Sequence, residues 1–377
     1  MGRAVSARRE WQQQSSSNIR EGRQHRIYLR SDQGVSVCMQ SIRGHAFLCW
    51  LTPLRRVGAH PPGTRHICYS TLAGERGLAA MLTGRKLLFV GGDARMVEVI
   101  AQATELDASA TLVGFDRLNR TFTDTATAPL SVTVFKDVDA VVLPIAGTDH
   151  SGRVDSQFCD APLTLTEAHF AAMRAGSMVF SGIAGPWLRQ VCETHHLRLV
   201  RLMELDEVAI LNSIPTAEGA VALAMEHTSI TLHGSKSVVL GFGRCGQTLA
   251  RTLLALGAHV RVVARDSAHR ARVREMAAVA YTLTDLRTAV ADADVVFNTI
   301  PHPILTAEVL SGMNRGVVII DIASKPGGTD FRYTERHGMT ALLAPSLPGL
   351  VAPRTAGRII ADSLCRILAQ GFTDGEE

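Results

Sequence analysis

Ser237-Val-Val-Leu-Gly241-Phe-Gly243-Arg-Cys-Gly246 is followed by a helical pattern, Gln247 to Leu256, and then by a second apolar run, His259 to Ala264. A strand that ends in Gly-x-Gly-x-x-Gly and opens into a helix marks a dinucleotide-binding β-α-β unit. The three glycines have separate duties. Gly241 permits the tight turn, Gly243 lets a pyrophosphate approach the backbone, and Gly246 lets the helix lie close on the strand. The helix beginning around Arg244 and Cys245 points its positive end at the phosphates. Spacing alone also fits an ordinary glycine-rich turn. The strand, helix and second strand in register around it favour the nucleotide.

The end of the second run selects between cofactors. Where an NAD enzyme carries Asp or Glu for the ribose hydroxyls, this chain has Ala264 followed by Arg265. With Ser267 and Arg270 behind them, these residues offer space, a planar donor and a hydroxyl to a ribose 2′-phosphate, so NADP is the expected cofactor. Asp266 leaves NAD open, because a small loop shift brings its carboxylate to the ribose. Arg265 also reads as a solvated turn arginine.

A chain of 377 residues has room for two or three domains, and 46% hydrophobic with 5% aromatic content suits an α/β protein. The net charge of +4 does not indicate a nucleic-acid partner, because residues 1 to 80 carry twelve arginines against four acidic groups and the remainder is slightly acidic. Seven scattered cysteines, with no C-x-x-C spacing, indicate neither a disulfide framework nor a metal site. Reduced thiols in the cytoplasm are the simplest reading. No run approaches the roughly 18 apolar residues of a membrane helix.

Residues 1 to 80 lack a sustained period and mix Gln12 to Gln14, Ser15 to Ser17 and Pro61-Pro62 with scattered arginine, a composition expected of a disordered extension. Met81 opens the first well-patterned segment, and translation starting there is a hypothesis that intact mass of the native protein tests.

From Arg85 onward short apolar runs alternate with amphipathic stretches. The runs Lys86 to Gly91, Thr111 to Phe115, Ala140 to Ile145, Ser177 to Ser181 and Arg198 to Met203 read as buried strands, and 237 to 241, 259 to 264, 294 to 299, 317 to 322 and 340 to 343 repeat the pattern. The fold class is therefore α/β: two doubly wound parallel-sheet (Rossmann-like) domains joined by a long helix. The expected division is 81 to 214, a linking helix within 215 to 235 with Pro215 in its first turn, a nucleotide domain 236 to 354, and a final helix, 355 to about 370, that crosses back onto the first half. The turn Gly91-Gly-Asp-Ala-Arg95 lacks the third glycine and reads as a substrate-side or structural turn. His195-His196 lie at a helix end, where dipole compensation explains them better than metal binding.

Several longer stretches then occur in a fixed order. They include Leu82-Thr-Gly, Val113-Gly-Phe-Asp116, Phe180-Ser-Gly-Ile183, Asn212-Ser-Ile-Pro-Thr216, Asn298-Thr-Ile-Pro301, Asp321 to Phe331 (DIASKPGGTDF) and Ala341 to Gly357 (ALLAPSLPGLVAPRTAG). Together, from Met81 to about Gln370, they resemble the dipicolinate synthase A-subunit family of spore-forming bacteria. The resemblance implies NADP-linked oxidation of dihydrodipicolinate, a small dicarboxylate, to dipicolinate, with a smaller B subunit similar to a flavoprotein. Residues 1 to 80 lie outside it. Position 325 carries Lys where arginine also looks acceptable, which keeps the charge and loses the fork geometry.

Making a pyridine from a dihydropyridine removes a hydride and a proton, so the protein must mainly position a nicotinamide, a base and donors for two carboxylates. The loops after Asn298 and Asp321 follow strands that end near the nicotinamide, which makes Thr299, Ile300, Pro301 and Ala323 cofactor contacts. For the base, His302 is favoured, since it titrates near neutrality when unperturbed, with Lys325 and Asp330 as competitors. For the carboxylates, Ser324, Lys325 and Arg354 sit on glycine- and proline-rich loops. Arg354 could instead cap the final helix or pair with an acidic neighbour. Ser181, Asn212 and Thr216 are further substrate-side candidates, with a capped hinge as the alternative for the last two.

Two other functions compete. A 2-hydroxyacid or amino-acid dehydrogenase shares the two-sheet plan but expects an Arg, acid and His clamp that cannot be assembled here. A non-catalytic nucleotide-binding platform for a flavoprotein partner needs no base at all. An assembly of the chain with itself is left open.

Overall fold

The computed structural model describes residues 82–373 and, before them, the backbone of three short strands. These are β1 (Arg26–Arg30), β2 (Ser36–Ile42) and β3 (His45–Cys49), paired antiparallel in that order within a separate unit, Met1–Leu72. The expectation of disorder for the rest of residues 1 to 80, and of a start at Met81, falls outside the described residues.

In the first half, β4 (Lys86–Val90), β5 (Ser109–Val113), β6 (Thr125–Thr127) and β7 (Ala140–Val142) are followed by a small ribbon, β8 (Arg153–Val154) with β9 (Leu163–Thr164), and then by β10 (Met178–Ser181) and β11 (Arg198–Arg201). Apart from the ribbon they form one parallel sheet, β11-β10-β7-β4-β5-β6. The second half has β12 (Lys236–Leu240), β13 (His259–Val263), β14 (Val279–Tyr281), β15 (Val295–Asn298), β16 (Val318–Asp321) and β17 (Thr340–Leu343), also parallel, in the order β14-β13-β12-β15-β16-β17. Both are doubly wound. The order reverses between β4 and β7 and again between β12 and β15, and ligands of such sheets bind beyond the strand ends at that reversal.

The central strands are Val, Leu, Ile and Phe with no polar alternation, because helices cover both faces. Phe89, Val142 and Phe180 fill one side of the first sheet and Leu88, Val141 and Val179 the other.

Four long helices set the frame: α1 (Ala94–Glu105), α2 (Asp206–His227), α3 (Arg244–Ala255) and α4 (Pro353–Thr373). The sequence pattern puts the start of the linking helix beside Pro215. The helix begins instead at Asp206, with Asp206 and Glu207 favouring its positive end and Pro215 buried inside it. The sequence hides this start because α2 is apolar nearly all round, being covered on more than one side. Among the described residues α2 is also long and apolar enough to cross a membrane by length and composition, with mean hydropathy 1.4 over its window, and half of that window is buried in the protein.

The last helix belongs to the core of the first half. Ile359, Ile360, Leu364 and Leu368 share one apolar cluster with Phe89, Val99 and Ile100. Gly357 permits the contact, since a Cβ there would come within 2.5 Å of the Arg95 carbonyl oxygen on α1.

Candidate nucleotide and substrate site

The two halves have the same topology and different chemistry at their switch points. In the first half the turn after β4 is filled. The Gly92 amide donates to the Asp155 carbonyl at 3.0 Å and the Gln157 amide donates to the Gly92 carbonyl at 2.8 Å, which lays residues 155 to 157 across the place where a pyrophosphate would enter. Asp93 caps α1 by accepting from the Arg95 amide at 2.9 Å, and the Arg95 guanidinium closes on the same carboxylate. The positive end of α1 is thereby neutralised.

The second half leaves the same place open. Gly241 has φ +94, and a Cβ on it would strike Thr299 Oγ1 at 2.3 Å, so the turn requires glycine. A Cβ on Gly246 would stand 2.3 Å from the Gly241 carbonyl oxygen, which seats α3 directly on β12. A Cβ on Gly243 would meet nothing within 4 Å, and Gly243 caps α3 without any side-chain acceptor. Free helix amides facing open space, with no acid in the first turn, suit a pyrophosphate. Arg244 pairs with Asp206 at 3.0 Å, tying the start of α3 to the start of α2. Burial pushes the Cys245 thiol above its ordinary range, against a smaller opposing pull from Arg244.

At the end of β13, Ala264 is buried and Arg265 and Ser267 are exposed. Among the described residues Arg265 has no ion-pair partner. The Asp266 carboxylate caps the helix Ser267–Glu275, accepting from the Ala268 amide at 2.8 Å and the His269 amide at 3.1 Å. Those bonds hold it below the usual carboxylate range. Its expected alternative role at a ribose would require it to leave this cap. Arg270 donates to the carbonyls of Ala264 and Arg265 and stiffens the bend.

Two more loops complete the wall. Asn298, fully buried, brackets Ile300: its Oδ1 accepts from the Ile300 amide and its Nδ2 donates to the Ile300 carbonyl, both at 3.0 Å. Thr299 Oγ1 donates to the Leu240 carbonyl at 2.8 Å. Asp321, also fully buried, pins the following loop at both ends by accepting from the Ala323 amide (3.1 Å), the Gly328 amide (2.8 Å) and Thr329 Oγ1 (2.7 Å). Between those anchors Ser324 and Lys325 are exposed. Gly328 packs the two loops together, for a Cβ there would meet the His302 and Ile300 carbonyls at 2.5 and 2.7 Å. Pro301 and His302 lie exposed beside them, and Ala323 is buried.

The sequence of the first half matches the N-terminal domain of the dipicolinate synthase A subunit over residues 86–203, and residues 215–325 match the NAD-binding domain of D-isomer specific 2-hydroxyacid dehydrogenases. The A subunit of dipicolinate synthase from Bacillus subtilis (strain 168) is 46% identical over 290 residues, covering 77% of this chain and 98% of that protein. The chain belongs to the dipicolinate synthase A-subunit family. Crystal structures of the A subunits from Bacillus halodurans and Bacillus subtilis each superpose with TM-score 0.75 at 45% identity, covering 76% and 78% of this chain and 99% of each of theirs. Family membership and the dehydrogenase-type domain make the protein an oxidoreductase with a nicotinamide nucleotide domain, the half whose glycine turn is open.

Several residues singled out from the sequence are committed elsewhere. Asp330 caps the helix Phe331–Arg336 by accepting from the Tyr333 amide at 3.0 Å. Arg354 lies 3.8 Å from Glu98, which also holds Arg120 and Arg358, the acidic-neighbour pairing offered as its alternative. Ser181 is fully buried and donates to the Ile183 carbonyl at 2.6 Å, closing its own turn. Thr216 lies within α2, not at its start, and bonds back to the Asn212 carbonyl at 2.7 Å. Asn212 is different: it is buried, its Nδ2 rests on the Met203 sulfur at 3.8 Å, and its Oδ1 has no hydrogen-bond partner. His302 bonds weakly to the Pro303 carbonyl at 3.3 Å and is otherwise open. His195 caps its helix and faces Glu167 at 3.3 Å.

Proposed function

We propose that the protein oxidises dihydrodipicolinate to dipicolinate with NADP as the oxidant, acting in the cytoplasm of sporulating cells with a smaller, flavoprotein-like B subunit. The observation that carries this reading is the pairing of family membership with an open, uncapped glycine turn whose strand end bears Ala264-Arg265. The nucleotide, when bound, supplies the hydride acceptor. Gly243 and the first amides of α3 hold its pyrophosphate, and Arg265 with Ser267 meets the 2′-phosphate. Lys325, presented on the loop fixed by Asp321, neutralises one substrate carboxylate. His302 is the remaining exposed base on these loops and takes up the ring proton.

Because these loops present no compelling acid or base, a second reading stays in play: a nucleotide-holding platform on which the partner performs the redox step. A steady-state assay of NADP reduction with dihydrodipicolinate, with and without the B subunit, tests both. Turnover by the chain alone supports the first. NADP binding without turnover until the flavoprotein is added supports the second, and no turnover under either condition overturns the reading.

A further inference from the structure

The linking helix α2 is apolar along most of its length, yet only half of its apolar window is buried. Three of its contacts define the covered sides. Ser213 Oγ meets Thr248 Oγ1 of α3 at 2.6 Å, Ser363 of α4 donates to Glu207 at 3.0 Å, and a Cβ on Gly219 would stand 3.2 Å from the Leu347 and Val351 side chains. The remaining stripe, at helical spacing, is Ile210, Ile214, Glu218, Ala222 and Met225. Ile210 and Met225 are 51% and 52% exposed, and Glu218 and Ala222 are exposed with them, so the stripe faces away from the protein's own core. A helix this apolar on its open side is the mark of a surface that something covers.

The stripe continues onto α3. A cavity of about 580 Å³ lies between the two helices and the helix Ser267–Glu275, with Ile210, Thr248, Arg251, Leu254 and Met276 in its lining. Asp206 binds Arg244 and Ser213 meets Thr248, so α2 and α3 run parallel and place Glu218 and Arg251 within about one turn of the same level. Both are exposed, and neither has an ion-pair partner among the described residues. An apolar stripe flanked by one unpaired acid and one unpaired base is complementary to itself. A two-fold axis through this level brings each copy's Arg251 to the other's Glu218 and lays the two apolar stripes on each other. A partner of a single charge sign would instead set one of the two groups against its like. We infer that this face is the interface of a two-fold symmetric dimer of the chain. The dimer does not depend on which reaction the nucleotide half performs.

Sedimentation velocity of the full chain over a range of concentrations reads the assembly, and the wild type should be a dimer in the micromolar range. Ile210→Glu, and separately Met225→Glu, should raise the dimer dissociation constant at least about thirtyfold, the scale of losing a central interface anchor, while the far-UV circular dichroism stays that of the wild type. Arg251→Glu and Glu218→Arg should each weaken association. An equimolar mixture of the two should restore it, because the mixed pair regains both contacts, and misfolding of either variant would not produce that rescue. A monomeric wild type overturns the dimer, whether the face is then covered by residues 1–80 or by a B subunit. Wild-type association in both glutamate variants also overturns it, as do charge variants that associate like the wild type or whose mixture stays as weak as each alone.

Discussion

Gly246 lies so close to the carbonyl oxygen of Gly241 that a methyl group on it would stand 2.3 Å from that oxygen. Gly243, two positions beyond Gly241, faces empty space and has an ordinary φ of −78°. The two positions therefore separate packing from binding. Gly246→Ala should force α3 off β12 and cost about 1–3 kcal/mol of stability, the range for overpacking a tight contact. Gly243→Ala should leave the denaturation midpoint near wild type and still weaken NADP, because its methyl fills the room a pyrophosphate needs. Urea unfolding and NADP titration of both variants check this, and equal stability losses would contradict the division.

Arg265 is poised at the end of β13 without a competing carboxylate, since Asp266 faces the amides of Ala268 and His269. Arg265→Asp should lower NADP affinity by about 1–3 kcal/mol and leave NAD affinity close to its starting value. Fluorescence titration with each nucleotide reads the difference. Unchanged NADP binding would remove Arg265 from the phosphate site.

The parts of the fold that could be read ahead of the structure are those governed by local pattern. The strand ends at Val90, Leu240, Asn298 and Asp321 follow from apolar runs closed by glycine or a polar residue, and the glycine turn follows from spacing. The start of α2 was hidden because a helix covered on several sides carries no amphipathic stripe. The pairing of Arg354 was hidden for another reason: whether an arginine meets Glu98 depends on where distant segments come together.

Asp321 is fully buried and satisfies three donors from the loop that carries Lys325. Asp321→Asn retains a single acceptor oxygen and turns an NH₂ group toward one of those donors. The loss should be about 1–3 kcal/mol, as for a buried donor left unsatisfied. KM for the substrate should rise more than NADP affinity falls, because Lys325 loses its fixed position while the glycine turn is untouched. A variant with wild-type stability would show that the loop does not depend on these bonds.

Asp266 gives a pH dependence with a definite sign. Its bonds to the His269 and Ala268 amides hold it below the ordinary carboxylate value. A depressed folded-state value contributes stability above the unfolded pKa, and that contribution is lost as pH falls through the folded one. Asp266→Ala should therefore unfold more easily than wild type at neutral pH, and the two should converge in acid below the carboxylate range. A gap that stays constant from neutral pH into that range would mean the cap is not acting through its charge.

Cysteine reactivity reports on the nucleotide site directly. Burial pushes the Cys192 and Cys365 thiols up to about 12, so at pH 8 only about one in ten thousand is thiolate, the reactive form. Cys159 lies near the surface, raised chiefly by the Asp116 side chain beside it, and Cys245 is half-buried in the first turn of α3. Among the four cysteines of the described residues, iodoacetamide at pH 8 should modify Cys159 first and Cys245 next, with Cys192 and Cys365 labelled only on unfolding. Saturating NADP should slow Cys245 several-fold, since the pyrophosphate covers that turn, and leave Cys159 unaffected. Peptide mass spectrometry over a time course measures all four sites in one experiment, and Cys245 labelling indifferent to NADP would place the nucleotide elsewhere.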